Sequence, residues 1–520
     1  MNLEPVVPEE ELRPVEAVAC ARGATLDGLA AAEVEVEVRV LRGLLGIVKV
    51  IGLPDSAVRE SRERVAAAIQ SAGLVFPDRS LLVNLAPAEL KKVGPGLDLP
   101  IAGAILAATG QLPAEALARP LLFGELALDG RVRPVRGAVA IALLARREER
   151  PLLLPAGCLE EVALVRGLLA HPVESLAEVV ALLRTTPLPA PTRIAGPESC
   201  PPRENGSWDA IVGQDEAKRT VIVAAAGGHH LLLNGPPGAG KSMLARSLVD
   251  LLPELDEAGA LEVSCVHSAA GLPARTAARS PPLRSPHCSV TLAGMAGGGL
   301  VPRPGELSLA HRGVLFLDEL PQFRREVVDL LRAPLEEERI AIARAGRSLE
   351  FPASFQLVAA MNPCPCGNAG EREAACCCSA AQIQRYRARV SGPVVDRIDL
   401  SVRVPFVPAE RRRASAPELA LAAARARVAA VRSRSRDRNG GVLNAAIPPE
   451  RIETLVAIGG AARDWLARSI DRLRLSLRAH HRLLRVARTL ADLDEADAVT
   501  RLHLARALSL REPDAERHVA

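Results

Sequence analysis

Leu231-Leu232-Leu233-Asn234-Gly235-Pro236-Pro237-Gly238-Ala239-Gly240-Lys241-Ser242 fixes the class of this protein. The leucines make a short buried-strand pattern, Gly235 to Gly240 a turn-rich loop, and Met243–Leu252 a helical continuation. Strand, loop and helix in that order are the setting in which such a sequence cradles phosphate. Gly235, Gly238 and Gly240 let backbone N–H groups converge on the β- and γ-phosphates, with Pro236, Pro237 and Ala239 completing the loop. The helix N-terminus adds its dipole. Lys241 is placed to neutralise the phosphates and Ser242 to ligate Mg²⁺. A second buried-strand pattern, Val314-Leu315-Phe316-Leu317, ends downstream in Asp318-Glu319. Asp318 suits Mg²⁺ held through its water shell, and Glu319 suits the orientation and deprotonation of attacking water. The two motifs together predict ATP and Mg²⁺ as cofactors and ATP hydrolysis as the chemistry.

Working outward, 520 residues suggest about two to four domains. A composition 48% hydrophobic and 24% charged is that of a soluble globular chain. No apolar run approaches the roughly 20 residues a membrane-spanning helix needs. The acidic start, Met1-Asn2-Leu3-Glu4-Pro5 and then Glu9-Glu10-Glu11, is unlike a secretory signal. A cytoplasmic location is expected, and in a reducing compartment clustered cysteines read as metal ligands rather than disulfides. The net charge of +4 is unevenly spread, with 22 arginines against 14 acidic residues from Ala409 to Ala520. That excess reads either as a surface for a polyanion or as solvated helix faces. Lysine is confined to Lys49, Lys91, Lys92, Lys218 and Lys241, so a lysine in the phosphate loop stands out against an arginine background. The two cations are not exchangeable in a tight phosphate site.

The expected fold class is α/β. Val34, Val36, Val38 and Val40 alternate with polar residues as in a half-buried strand, and Ile47–Ile51 is a second strand-like run. Helical patterns follow over Ala57–Ala72 and Pro100–Thr109, with strand-like Leu81–Leu85 and Leu152–Leu154. This gives an α+β N-terminal domain (1–186), a proline-rich linker (187–207), a P-loop core with a parallel sheet (208–408) and an all-helical C-terminal lid (409–520). Arg339–Phe351 alternates around Ala345-Gly346 as a β-hairpin. Cys364-Pro365-Cys366 and Cys376-Cys377-Cys378 place two Cys-x-Cys pairs on a short loop. Thiolates at Cys364, Cys366, Cys376 and Cys378 suit tetrahedral Zn²⁺, with a metal-free set of reduced thiols as the alternative.

These motifs, in this order, resemble the ComM/YifB family of magnesium-chelatase-like AAA+ ATPases over nearly the whole chain. By that resemblance, Trp208–Arg219 lines the adenine pocket with Ile211, Val212 and Gly213. Asn362 matches a sensor that positions the lytic water, and Arg397, in Ser391–Leu400, matches an arginine finger acting in the neighbouring subunit. Arg478, in Ser476-Leu477-Arg478-Ala479, matches a second sensor on the lid. Ser289–His311 resembles the family's helix-2 insert, and the hairpin its pre-sensor hairpin, with Arg344 and Arg347 facing threaded phosphate backbone. Phe123–Val135 is similar to the Lon C-terminal domain (ribosomal-protein-S5-like). Lon's serine and lysine are replaced by Gly94-Pro95-Gly96-Leu97 and Val139, so no peptidase chemistry is expected. Lys91 and Lys92 are a candidate phosphate contact or plain surface.

Membership implies a homohexameric ring motor acting on branched or single-stranded DNA without sequence specificity. Its activity would be that of a branch-migration helicase processing recombination intermediates in natural transformation. The alternative is a chelatase-like chaperone that remodels a protein partner. Chelatase ATPase subunits are expected to lack the Lon-like domain and the cysteine loop.

Overall fold

The computed structural model describes residues 18–45, 48–185, 187–194, 207–273, 279–299, 301–344, 347–370, 375–390, 392–407 and 420–511. The chain forms two compact units, Met1–Ser199 with Ser264–Ala278, and Cys200–Val263 with Arg279–Ala520. Of the proline-rich stretch, residues 195–206 lie outside the described residues. Among the described residues no helix is long and apolar enough to cross a membrane.

The first unit is built on β1 (Ala19–Asp27), β2 (Ala30–Leu45), β3 (Val48–Ile51), β4 (Arg79–Ala86), β5 (Leu121–Leu122), β6 (Glu125–Leu126), β7 (Val132–Arg133), β8 (Leu152–Pro155) and β9 (Ala170–Val173). Seven of them form a mixed sheet in the order β3-β4-β2-β1-β5-β8-β9. The alternation in β2 does what it predicts: Val34, Val36, Val38 and Val40 are buried, and the intervening glutamates are not. Helix Ser56–Ser71 starts where the Asp55 carboxylate accepts the Val58 N–H at 2.9 Å. Helix Asp98–Ala108 is buried on nearly all sides.

Both positions that would carry peptidase groups are packing positions. A side chain at Gly96 would stand 3.0 Å from Cδ2 of the Phe123 ring and 2.5 Å from Cε2, and Val139 is fully buried. Lys92 corrects an expectation, because it is buried and its ammonium donates to the Pro87 carbonyl. It is therefore unavailable to an external phosphate, while Lys91 stays exposed.

In the second unit, β10 (Leu231–Asn234), β11 (Leu283–Arg284), β14 (Val314–Leu317), β17 (Gln356–Met361) and β18 (Leu400–Arg403) form a wholly parallel sheet. Its order is β11-β14-β17-β10-β18. Strands buried on both faces read as continuous apolar runs, which is why Leu231–Leu233 and Val314–Leu317 were legible. Two small antiparallel pairs decorate the unit, β12 (Gly297–Gly298) with β13 (Arg303–Pro304), and β15 (Arg339–Arg344) with β16 (Arg347–Pro352). Helices Leu421–Asn439, Gly460–Leu473, Leu477–Leu493 and Arg501–Ser509 make the C-terminal part. Leu483, Leu484 and Ala487 share one apolar core with Leu231, Leu233 and Val402 of the sheet.

The C-terminal arginine excess has a use that neither reading of the charge anticipated. Arg432 donates to the Ala225 carbonyl at 2.7 Å and Arg427 to the Leu493 carbonyl at 2.9 Å, while Arg425 reaches the Asp250 carbonyl. Each acceptor lies in the last turn of a helix, where carbonyls have no partner within the helix and the dipole favours a cation. These three arginines thus hold helix ends rather than face a polyanion.

Candidate nucleotide site

The phosphate loop leaves β10 at Gly235 and enters helix Lys241–Leu251. Gly238 and Gly240 have φ of +74° and +92°, and a Cβ on either would meet nothing within 4 Å. The loop therefore adopts a conformation only glycine takes readily, and its outer face is open. Such a loop, ahead of an 11-residue helix, can aim backbone N–H groups at an anion.

Three strands bring the polar groups together. Lys241 Nζ lies 2.7 Å from the Gly235 carbonyl, 2.8 Å from that of Pro236 and 3.0 Å from Oδ1 of Asn362. Asn362 follows directly on β17, and Asp318 on β14, so parallel neighbours deliver both to the end of β10. Ser242 Oγ donates to Asp318 Oδ2 at 2.6 Å, which pairs an alcohol and a carboxylate suited to a hydrated divalent cation. Glu319 is exposed with φ +51°, a left-handed conformation that turns the chain out of the strand. Burial pulls the Lys241 ammonium below the ordinary lysine value, and the charges of Asp318 and Glu319 oppose that fall.

Gln214 is a residue that motif reading did not single out. Its amide donates to the Ala239 carbonyl at 3.2 Å and the Pro405 carbonyl at 2.7 Å. It thereby ties the segment holding Ile211, Val212 and Gly213 to the phosphate loop. Its only signal in the sequence was an amide between the apolar Ile211-Val212-Gly213 and the acidic start of a helix at Asp215-Glu216. Trp208 is fully buried, with Lys218 Nζ 5.0 Å over its ring. Tyr386, the chain's single tyrosine, is buried behind Asn362. Burial pushes its phenol up, the Asn362 backbone N–H pulls it down, and Glu319 and Cys364 add to the rise.

Arg397 and Arg478 are not brought to this loop. Arg397 donates to the Pro393 carbonyl at 2.6 Å and pairs with Glu336, and Arg478 lies 3.8 Å from the same Glu336 carboxylate. Arg344 and Arg347 stand opposite each other at the end of the β15–β16 hairpin, whose turn, 345–346, lies outside the described residues, as do the two side chains.

The cysteine loop follows Asn362. Sγ of Cys364 is 3.3 Å from that of Cys366 and 3.6 Å from that of Cys376, and Cys366 and Cys376 are 3.6 Å apart. With Cys378, all four sulfurs lie within 4.8 Å of one another. A tetrahedral zinc–thiolate centre separates its sulfurs by about 3.8 Å, given Zn–S of about 2.3 Å. A disulfide needs about 2.05 Å. The donor set fits a soft divalent cation. Backbone N–H groups of Asn368 and Cys377 aim at Cys366 and hold its thiol down to about 5.

The family model described as magnesium chelatase, subunit ChlI, matches residues 207–412. Those described as subunit ChlI of Mg-chelatase and as the subunit ChlI C-terminal region match 36–157 and 420–511. The chain is 40% identical to YifB of Escherichia coli (strain K12) over 94% of its own length and 96% of that protein's. It is 40% identical to the competence protein ComM of Haemophilus influenzae, over 93% and 95%. The magnesium-chelatase 38 kDa subunit of Rhodobacter capsulatus is 28% identical, over 58% of this chain and 85% of that one.

Proposed function

This chain belongs to the ComM/YifB family of magnesium-chelatase-like AAA+ proteins, and from that membership we propose that it is an ATP-driven ring motor acting on DNA. The observation that carries the ATPase reading is the convergence of Lys241, Ser242, Asp318 and Asn362 on an open glycine loop. ATP is the substrate. Lys241 leaves its carbonyls for the phosphates, Ile211, Val212 and Gly213 take the base, and Glu319 accepts the proton of the attacking water. Mg²⁺, held by Ser242 and by Asp318 through its water shell, neutralises charge on the phosphates. Asn362 orients the water. Arg397 and Arg478 complete the site of a neighbouring subunit in a homohexamer. One Zn²⁺ per chain, on Cys364, Cys366, Cys376 and Cys378, orders a loop that has little core of its own.

The relative named as a competence protein supports a role in competence, and within that role the reading is a branch-migration helicase that processes branched or single-stranded DNA during natural transformation. The β15–β16 hairpin carries Arg344 and Arg347 to the strand in the pore. A second reading, a magnesium-chelatase-like chaperone that remodels a protein partner, starts from the likeness to the magnesium-chelatase 38 kDa subunit of Rhodobacter capsulatus. The N-terminal unit does not separate the two, because a family model named for the chelatase subunit matches residues 36–157.

The discriminating experiment is a salt titration of binding to a labelled four-way junction, with ATPase measured alongside. The motor reading expects DNA to stimulate ATPase and to bind more weakly as salt rises. Arg344→Ala with Arg347→Ala then flattens the salt slope by up to about two units and leaves basal ATPase intact. Equal affinity and slope for wild type and double variant would remove the hairpin as the DNA contact. An ATPase indifferent to DNA would favour the chaperone.

A further inference from the structure

The cysteine cluster and the phosphate loop touch. Cys364 follows Asn362 by two residues, and Asn362 holds Lys241 at 3.0 Å, so fixing Cys364 fixes the partner of the phosphate-loop lysine. Gly367, with φ +86°, lies flush on the loop itself: a Cβ there would stand 2.9 Å from Cγ of Pro237 and closer still to Cδ. Farther on, the Gly370 carbonyl accepts from Arg403, which ends β18 beside β10. Cys376 then closes back onto Cys364 and Cys366. A helix capped reciprocally by Ser379 and Gln382 returns Tyr386 to the Asn362 backbone. No large apolar side chain stands among the described residues between Cys364 and Cys378, so the sulfurs do much of the ordering there.

We propose that the four-cysteine cluster is a metal-dependent positioning element for the nucleotide site, so that metal loading and nucleotide binding each raise the other's affinity. The proposal rests on the ATP and zinc readings above. A bound soft divalent cation holds Gly367 against Pro237 and Asn362 against Lys241 in the conformation that receives phosphate. Stripped of the cation, the loop releases both, and nucleotide must order them as it binds. Coupling of this kind is reciprocal and typically amounts to about 5–150-fold in affinity.

The test uses the full-length protein loaded with zinc or cobalt(II), or stripped by chelator under reducing conditions. Affinity for a fluorescent ADP is measured for each, with circular dichroism to follow the fold. The stripped protein is expected to bind nucleotide about 5–150-fold more weakly. Adding nucleotide to the cobalt form is expected to shift its visible thiolate–cobalt bands. Gly367→Ala, whose Cβ would press on Pro237 and whose backbone is held at φ +86°, is expected to weaken nucleotide binding, with the cobalt bands reporting whether it keeps its metal. Should stripping unfold the protein, the cobalt bands and Gly367→Ala still decide. Bound metal with unmoved bands and unchanged affinity in Gly367→Ala would overturn the coupling and leave the ATP and zinc readings standing. A wild-type protein that takes up no metal would remove the zinc reading and this proposal, and one that binds no nucleotide would remove the ATPase reading with it.

Discussion

Arg397 donates through Nη2 to Oε1 of Glu336, the oxygen that also lies 3.8 Å from Nη2 of Arg478. Two guanidinium groups share one carboxylate, which leaves this trio one positive charge in excess, and among the described contacts neither arginine reaches the phosphate loop of its own chain. An anionic partner supplied from outside the chain, such as the nucleotide phosphates of a neighbour, would complete the balance. Arg397→Ala is accordingly expected to lower the rate by about 10³–10⁵-fold. Mixing it with inactive Lys241→Ala is expected to restore some ATPase, because mixed rings contain interfaces with both groups intact. Silent mixtures at every ratio, with subunit exchange demonstrated, would show that Arg397 serves its own subunit or none.

Lys241 and Glu319 should separate binding from hydrolysis. The lysine meets phosphate in the ground state, whereas the carboxylate serves only the attacking water. Lys241→Ala is expected to lose nucleotide binding. Glu319→Gln is expected to retain it and to hydrolyse ATP at least about 10²-fold more slowly, the usual scale for a general base. Fluorescent nucleotide titration and phosphate release measure the two separately, and near-normal release by Glu319→Gln would move the base elsewhere.

The lowered ionisation of Lys241 has a pH consequence. In the free site burial pulls the ammonium below the ordinary value of 10.5, against the pull of Asp318 and Glu319. Phosphates raise it again on binding, so above the lowered value nucleotide binding must take up a proton. Affinity should stay flat near neutrality and fall as pH rises through that value, before an exposed lysine titrates. Lys241→Arg should lose the alkaline fall whatever its affinity. Calorimetry in buffers of different ionisation enthalpy reads the proton directly.

Asp492 is the structural counterpart. Its carboxylate is fully buried, paired with Arg438 at 2.7 Å and Arg488 at 2.9 Å, and accepts from Asn444 at 2.8 Å. Burial pushes the carboxyl up, but Arg438, Asn444 and Arg488 together hold it below the usual range. Its stabilisation is thus present above the unfolded value, about 3.9, and lost as pH falls through the lower folded one. Asp492→Ala, which takes the carboxylate from the buried Arg488 and the half-buried Arg438, should cost about 3–5 kcal/mol in denaturant unfolding. An unchanged midpoint would mean that the pair is not what holds these helices.

The sequence by itself determined the phosphate loop, the parallel strands and the cysteine pairs. Each is written in residue type at short spacing: glycine where φ is positive, continuous apolar runs where a strand is buried on both faces, thiols where a loop must close on itself. Charge was the poorer guide. Nothing local distinguishes Lys91 from Lys92, yet one is exposed and the other buried on a carbonyl. Arg425, Arg427 and Arg432 gave the same signal as a nucleic-acid surface, and only the packing of helices distant in the chain showed them at helix ends. The meetings of Arg397 with Glu336, of Gln214 with Ala239 and of Gly367 with Pro237 were likewise decided by tertiary structure. A guanidinium, an amide or a close backbone approach accepts many partners, and which one it meets depends on how distant segments of the chain come together.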